Sequence, residues 1–297
     1  MTATAAPIRL QLPGPQTLGN QSVSLKVNHS WEEMAKGPAN LKRYHGVQDR
    51  ALAYLRTDSG LFRFGQLMER VPRFANELLA QFNGTFSPAL ATLSSKGLTG
   101  WTWLTTFPRI ATMTPGTIEA VKDAREAVKA GVLPRDQIRH KVEHAVRETT
   151  DLAAMLGYGA SMTASLFPQA LAAEKAIKTA ADGVTFAHDV ISLDMNARNL
   201  QAARHVDLAK ATPEMKQVVA ETKRQNMFAI AKDVVSIVSG ILGLGLIATG
   251  VAVIPGLALA GLSLASTILA IIRDLYKDTM MYKPIEFYNN KHVTQLA

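Results

Sequence analysis

The sequence predicts an all-α fold: a multi-helix bundle of amphipathic helices, a C-terminal hydrophobic helical hairpin of two transmembrane-length helices, and a flexible or short β N-terminal tail. Three observations lead there. No segment between 30 and 233 alternates apolar and polar residues over a useful length, as a half-buried strand would. Hydroxyl–proline pairs recur at Ser87-Pro88, Thr114-Pro115 and Thr212-Pro213, the order in which a capping residue precedes a proline at the first helical position. Finally, Val234–Ile272 runs for 39 residues without a charged side chain, closed by Asp233 on one side and Arg273 on the other.

Taken in order, residues 1–29 form the tail. Ile8/Leu10/Leu12 and Val23/Leu25/Val27 alternate as the two strands of a small hairpin do, and a flexible tail is the competing reading. Met1–Ala6 has no basic start, and Pro13 and Pro15 interrupt any apolar run, so no secretory signal is expected. Residues 30–113 read as aromatic-rich amphipathic helices. Ser30-Trp31-Glu32-Glu33 has capping-box spacing, Gly37-Pro38 interrupts, and a helix follows from Pro38 to Arg56, with a turn at Thr57–Gly60. In the next helix Leu61, Phe64, Leu67, Val71, Phe74, Leu78 and Phe82 share one face. Pro72 should bend it, and Asn83-Gly84 ends it. A bulky apolar face beside arginines suits either the plane of a membrane interface or an ordinary helical core. Phe64, Trp101 and Trp103 are the interfacial candidates from this region.

Residues 114–232 read as a charged helical bundle. Thr114-Pro115 opens a helix with Ile118, Val121 and Val128 facing inward and Gly131 as its stop. Pro134 opens another, with Ile138, Val142, Ala145, Thr149 and Leu152 in one stripe and Gly157 and Gly159 marking its end. More helix follows over 160–211, broken near Pro168 and Gly183. From Pro213 no breaker appears until Gly240, which predicts one long helix that starts in water and ends in a hydrophobic layer.

The hairpin occupies 233–281, followed by a polar tail over 282–297. Its run exceeds the roughly 20 apolar residues that one helix needs to cross a bilayer. It also contains its own break, Pro255-Gly256. Val234–Ile254 would span about 32 Å, and Leu257–Ile272 about 24 Å, at 1.5 Å per residue. The shorter arm needs Arg273 to Tyr276 to reach the interface, so Arg273 and Tyr276 join the interfacial candidates. The hairpin itself is represented by Val234, Ile237, Gly240, Gly243, Leu246, Pro255, Gly256, Leu259, Gly261, Ile268 and Ile271. Ser236/Gly240, Ser239/Gly243, Gly256/Ala260 and Gly261/Ala265 carry the small-xxx-small spacing of closely packed helices. Basic residues flank the run (Lys216, Lys223, Arg224 and Lys232 before it, Arg273, Lys277 and Lys283 after), whereas the turn has no charge. The positive-inside rule then leaves both termini on the cytoplasmic side of a membrane.

Composition narrows the chemistry. The chain has 297 residues, 47% of them hydrophobic, and a formal net charge of +8, a balance that suits an anionic membrane surface. Its basic residues are spread along helix faces rather than gathered, so no nucleic-acid partner is expected. Zero cysteines removes disulfides, thiolate metal sites and cysteine nucleophiles together. His140-Lys141-Val142-Glu143-His144 matches the H-x-x-E-H pattern of inverted zincins, with Glu221 downstream as a third ligand. Measured from Ile138, however, the two histidines sit about 200° and 240° round the helix, opposite the apolar stripe, and are read as solvent-facing. The glycines at 240, 243 and 245 have no lysine and follow no strand, unlike a phosphate loop. No enzyme, cofactor or metal site is expected. The expected partners are a lipid bilayer and either other proteins or further copies of this chain.

Three readings of function follow, the third being a soluble helical protein whose central hairpin never leaves its core. In the first the protein is anchored by the hairpin and acts as a scaffold or membrane-shaping protein. Over Val234–Ile272 the paired lobes look like the bilobed anchor of chlamydial inclusion membrane proteins, a likeness of architecture. In the second it is an α-helical pore-forming protein or secretion translocator whose hairpin is buried in a soluble bundle and inserts into a target membrane. That layout is similar to pore-forming colicins and to type III secretion translocators.

Overall fold

The computed structural model describes residues 9–10, 25–26, 47–81, 88–131, 133, 135–206, 208, 213–249 and 256–279. Among these are two strand fragments, β1 (Arg9–Leu10) and β2 (Leu25–Lys26). The helices are α1 (Val47–Leu55), α2 (Asp58–Gln81), α3 (Pro88–Ala130), α4 (Arg135–Ser165), α5 (Leu171–Arg204), α6 (Pro213–Thr249) and α7 (Gly256–Thr279). The fold is all-α, and the two apolar helices lie at its C-terminal end. The expectations at Ser30–Glu33, Gly37-Pro38, Phe82, Asn83-Gly84, Pro255 and 282–297 lie outside the described residues.

Arg9 pairs with Lys26 and Leu10 with Leu25 in a two-rung antiparallel ladder, the pairing that the alternation in the tail suggests. The chain divides into two compact units. One comprises Met1–Arg50, Asp194–Ile230 and Ile272–Ala297, and the larger comprises Ala51–Leu193 and Ala231–Ile271.

In the larger unit α2 starts where Thr57 caps it. The Thr57 hydroxyl accepts the Gly60 N–H at 3.0 Å, satisfying one of the orphan donors of the first turn. Position 60 has to be glycine, because a Cβ there would stand 1.8 Å from the Tyr54 carbonyl oxygen. α2 packs on α3 through Phe62, which is buried. The Arg109 guanidinium lies 4.9 Å from the centre of that ring and donates to the Ser59 hydroxyl at 3.2 Å, a cation–π contact that ties the two helices. α3 and α4 pack antiparallel through small residues: Ala120, Ala124 and Ala145 form a buried cluster. Gly131, with φ 61°, closes the end of α3, the left-handed cap that glycine alone adopts without strain.

Four expectations need correction. α3 runs unbroken through Pro115, because Thr114 turns its hydroxyl back onto the Ile110 carbonyl at 2.7 Å and does not cap a new helix. Gly157 and Gly159 do not end α4, which continues to Ser165. They are close-approach positions instead: a Cβ at Gly157 would meet the Ala181 Cβ at 2.8 Å, and one at Gly159 would touch Ile110 and Thr106. α5 likewise continues through Gly183. Ile118, Val121 and Val128 are exposed, since the inward face of α3 is Thr117, Ala120, Ala124 and Ala127, whose size lets the helices approach closely.

In the smaller unit Val218, Val219, Thr222, Asn226 and Ala229 of α6 are buried. Asn226 donates to the Thr222 carbonyl at 2.8 Å, so its amide is not left unpaired away from water. The Phe228 and Tyr276 rings lie 5.3 Å apart and tilted.

Candidate membrane-inserting hairpin

Helix starts place the two arms. Pro213 opens α6 as the Thr212-Pro213 pair predicts, and α6 runs on through the apolar sequence as one helix to Thr249. α7 resumes at Gly256. Two segments, Lys216–Gly243 and Gly256–Lys277, are long and apolar enough to cross a membrane. The Ser236 and Ser266 hydroxyl oxygens lie 3.1 Å apart, joining the arms within the larger unit. α6 extends about 20 Å beyond that contact and α7 begins about 15 Å before it, at 1.5 Å per residue. With only six residues between them, the arms run antiparallel.

The first arm is held by α5. Asp182, Phe186 and Asp189 fall at i, i+4 and i+7, on one face of that helix. Phe186 packs on Gly240 so closely that a Cβ there would lie 3.0 Å from its ring and 3.6 Å from its own Cβ. One turn away, the Lys232 ammonium donates to Asp189 at 2.5 Å and to Asp233 at 3.0 Å. Asp189 and Asp233 are 1% and 0% exposed. Charges this far from water persist only when paired. Asp182 receives the Tyr158 hydroxyl at 2.7 Å, and burial raises the pKa of that phenol from its ordinary value, with Asp182 adding to the effect. Tyr158 therefore remains a proton donor across the physiological range.

The second arm is held by α2 with a similar device. Arg70, Phe74 and Glu77 have the same i, i+4, i+7 spacing. Arg70 donates to the Ser263 carbonyl at 2.7 Å and also to the Thr267 hydroxyl. Burial lowers the pKa of its guanidinium, an effect that neighbouring Glu69 offsets. A Cβ at Gly261 would touch the Phe74 ring at 3.4 Å, and one at Gly256 would meet the Glu77 carboxylate at 2.5 Å. On each arm, then, an aromatic ring sits against a glycine, with a charged residue one turn away.

The opposite flank is apolar. Val234, Val238 and Ile241 on α6 are 43%, 40% and 55% exposed, and Ile268 on α7 is exposed too. Ala260, Ser266, Thr267 and Ala270 are buried. Small and hydroxylated side chains thus face the protein, while branched aliphatics face outward. Small side chains at the contact let the helices approach closely, as Thr117, Ala120, Ala124 and Ala127 do on α3.

The sequence-predicted residues fall as follows. Val234 and Ile268 lie on the outward flank. Gly240, Gly256 and Gly261 receive Phe186, Glu77 and Phe74. Nothing lies within 4 Å of a Cβ at Gly243. Ile237, Leu259 and Ile271 are half-buried. The side chain of Leu246, and Pro255 entirely, lie outside the described residues. Among the interfacial candidates, Phe64 is half-buried in α2. Trp101 and Trp103 belong to α3, their side chains outside the described set. Arg273 pairs with Asp274 at 3.0 Å, and the Tyr276 ring lies tilted against Phe228. His140 and His144 are half-buried, with parallel rings 6.4 Å apart. Glu143 pairs with Arg139 at 2.6 Å, and Glu221 accepts from Gln217 at 3.1 Å. Among the described residues no group of three or more histidines and carboxylates is placed to hold a metal.

Sequence reasoning missed the two clamps. The sequence places Phe74 on the apolar face of one helix, and nothing in it singles out Arg70, Glu77 or Asp189. A weak signal was present: Lys232-Asp233 sits at the edge of the uncharged run, where a buried pair would need a third charge. No protein-family model, no curated protein and no solved structure matches the chain.

Proposed function

We propose that this chain is a non-enzymatic, membrane-active helical protein whose hairpin α6–α7 rests against α2 and α5 and moves into a lipid bilayer when those clamps open. The observation that carries the reading is the pair of helices long and apolar enough to cross a membrane, which leave Val234, Val238, Ile241 and Ile268 exposed. A resting, protein-held state is supported by Arg70. Its guanidinium reaches the middle of α7, and α2 cannot follow that arm into hydrocarbon without carrying Arg70, Arg73 and Glu77 with it, at a cost of several kcal/mol. With basic flanks on both arms, both termini stay on the cytoplasmic face after insertion. The permanent-anchor reading, a scaffold or membrane-shaping protein resident in the bilayer, is favoured by the same outward flank.

Solubility separates the two. The inserting form is expected to purify without detergent and then to release dye from liposomes. A permanent anchor would stay in the membrane pellet after alkaline washing. Ile241→Arg should leave the folded protein intact, because position 241 is 55% exposed. An arginine near the centre of a membrane helix costs about 2.5–3.5 kcal/mol, so dye release should fall about 100-fold. Unchanged release would remove the first arm from the mechanism.

A further inference from the structure

From Met68 onward α2 leaves part of its apolar face outward. Met68, Val71 and Leu78 are exposed and lie within an arc of about 80° at about 100° per residue. Arg70, Phe74 and Glu77, which meet α7, lie roughly a quarter-turn away. We propose that the outward stripe of α2 is a lipid-docking surface, which seats the folded protein on a bilayer before the hairpin moves. This rests on the reading of α6–α7 as the inserting element.

Three observations commit the stripe to a bilayer. It is continuous with the hairpin: α2 contacts α7 from Gly256 to Thr267, so a surface that receives the stripe is brought beside the arm that must enter it. It is small, a few side chains on one helix, whereas a stable protein–protein interface buries about 800 Å² on each partner. An interfacial helix needs only a buried apolar strip and no matched partner surface. The charge also fits, since a chain of net charge +8 is repelled by a second copy and attracted to an anionic leaflet.

The test separates docking from insertion. A disulfide between Phe186→Cys and Gly240→Cys pins the first arm to α5. The locked protein is floated with phosphatidylcholine vesicles, with and without phosphatidylglycerol. Locked protein is expected to float with anionic vesicles and to release from them at high salt. Val71→Asp/Leu78→Asp in the locked background should reduce the vesicle-bound fraction at least tenfold, with an unchanged thermal melt. If that variant melts early, Val71→Ser/Leu78→Ser replaces it with the same expectation. Undiminished flotation of a folded variant would overturn the proposal. A change of oligomeric state with unchanged flotation would overturn it too, assigning the stripe to contact between copies. Dye release by the reduced, unlocked protein reads the hairpin independently: loss of release with intact flotation overturns insertion and leaves docking standing.

Discussion

Replacing Lys232 with methionine is expected to destabilise the fold by about 3–5 kcal/mol, the cost of leaving buried carboxylates without their counter-charge. Lys232 donates to both Asp189 and Asp233, and these side chains are 2% and 0% exposed. At that burial, bulk solvent does not compensate for the loss of the ammonium. Neutralising the whole group tells a different story. Lys232→Met/Asp189→Asn/Asp233→Asn removes the charges together, and most of the lost stability should return, because the penalty belongs to the unpaired ions. Urea unfolding of the single and triple variants provides the comparison. The single variant should also release liposome dye sooner, since its first arm loses the Lys232–Asp189 link to α5. A single variant as stable as the parent would mean that the triad contributes nothing to holding that arm.

The Phe186→Cys/Gly240→Cys lock is expected to abolish insertion in its oxidised form and restore it on reduction. The geometry permits the bond: the two Cβ atoms would stand 3.6 Å apart, inside the 3.5–4.5 Å range of natural disulfides. The chain has no other cysteine, so no competing thiol confuses the result. Closing a loop of about 50 residues should also stabilise the oxidised fold by about 4 kcal/mol in the chain-entropy description. Oxidised protein should show less than a tenth of the dye release of the same protein after reduction. Using one protein in two redox states removes the loss of the phenylalanine as an explanation. Equal release from both would mean that α6 does not have to leave α5.

The helical class and the position of the hairpin were legible because they depend on local chemistry. Ser87-Pro88 and Thr212-Pro213 mark the starts of α3 and α6, Gly131 closes α3, and Gly256 opens α7. Each is a backbone requirement of a few adjacent residues. Thr114-Pro115 carries the same signature and failed, because a threonine hydroxyl can bond back to the preceding turn as readily as forward. Which face of a helix turns inward was not legible. Ile118, Val121 and Val128 form an apolar stripe in sequence, yet α3 packs on α4 through alanines and Thr117, and the branched residues face out. The clamps were beyond reach for another reason. Asp189 and Lys232 are 43 residues apart, and Arg70 and Thr267 are 197 apart. Only the folded chain brings them together. The small-residue spacing along the hairpin was read, but its use was open: Gly240 and Gly261 turn out to receive rings from α5 and α2.

The most direct test is to report the surroundings of the outward flank before and after lipid is added. An environment-sensitive fluorophore on Val238→Cys, with a second protein labelled at Ile268→Cys, serves this purpose, since both positions are exposed and no native thiol competes. In buffer both probes should emit as partly hydrated dyes. On addition of anionic liposomes both should shift to the blue and be quenched by nitroxides carried deep in the acyl chains. Probes that keep their aqueous emission and escape deep quenching, on protein that is bound to the vesicles, would contradict insertion of the hairpin.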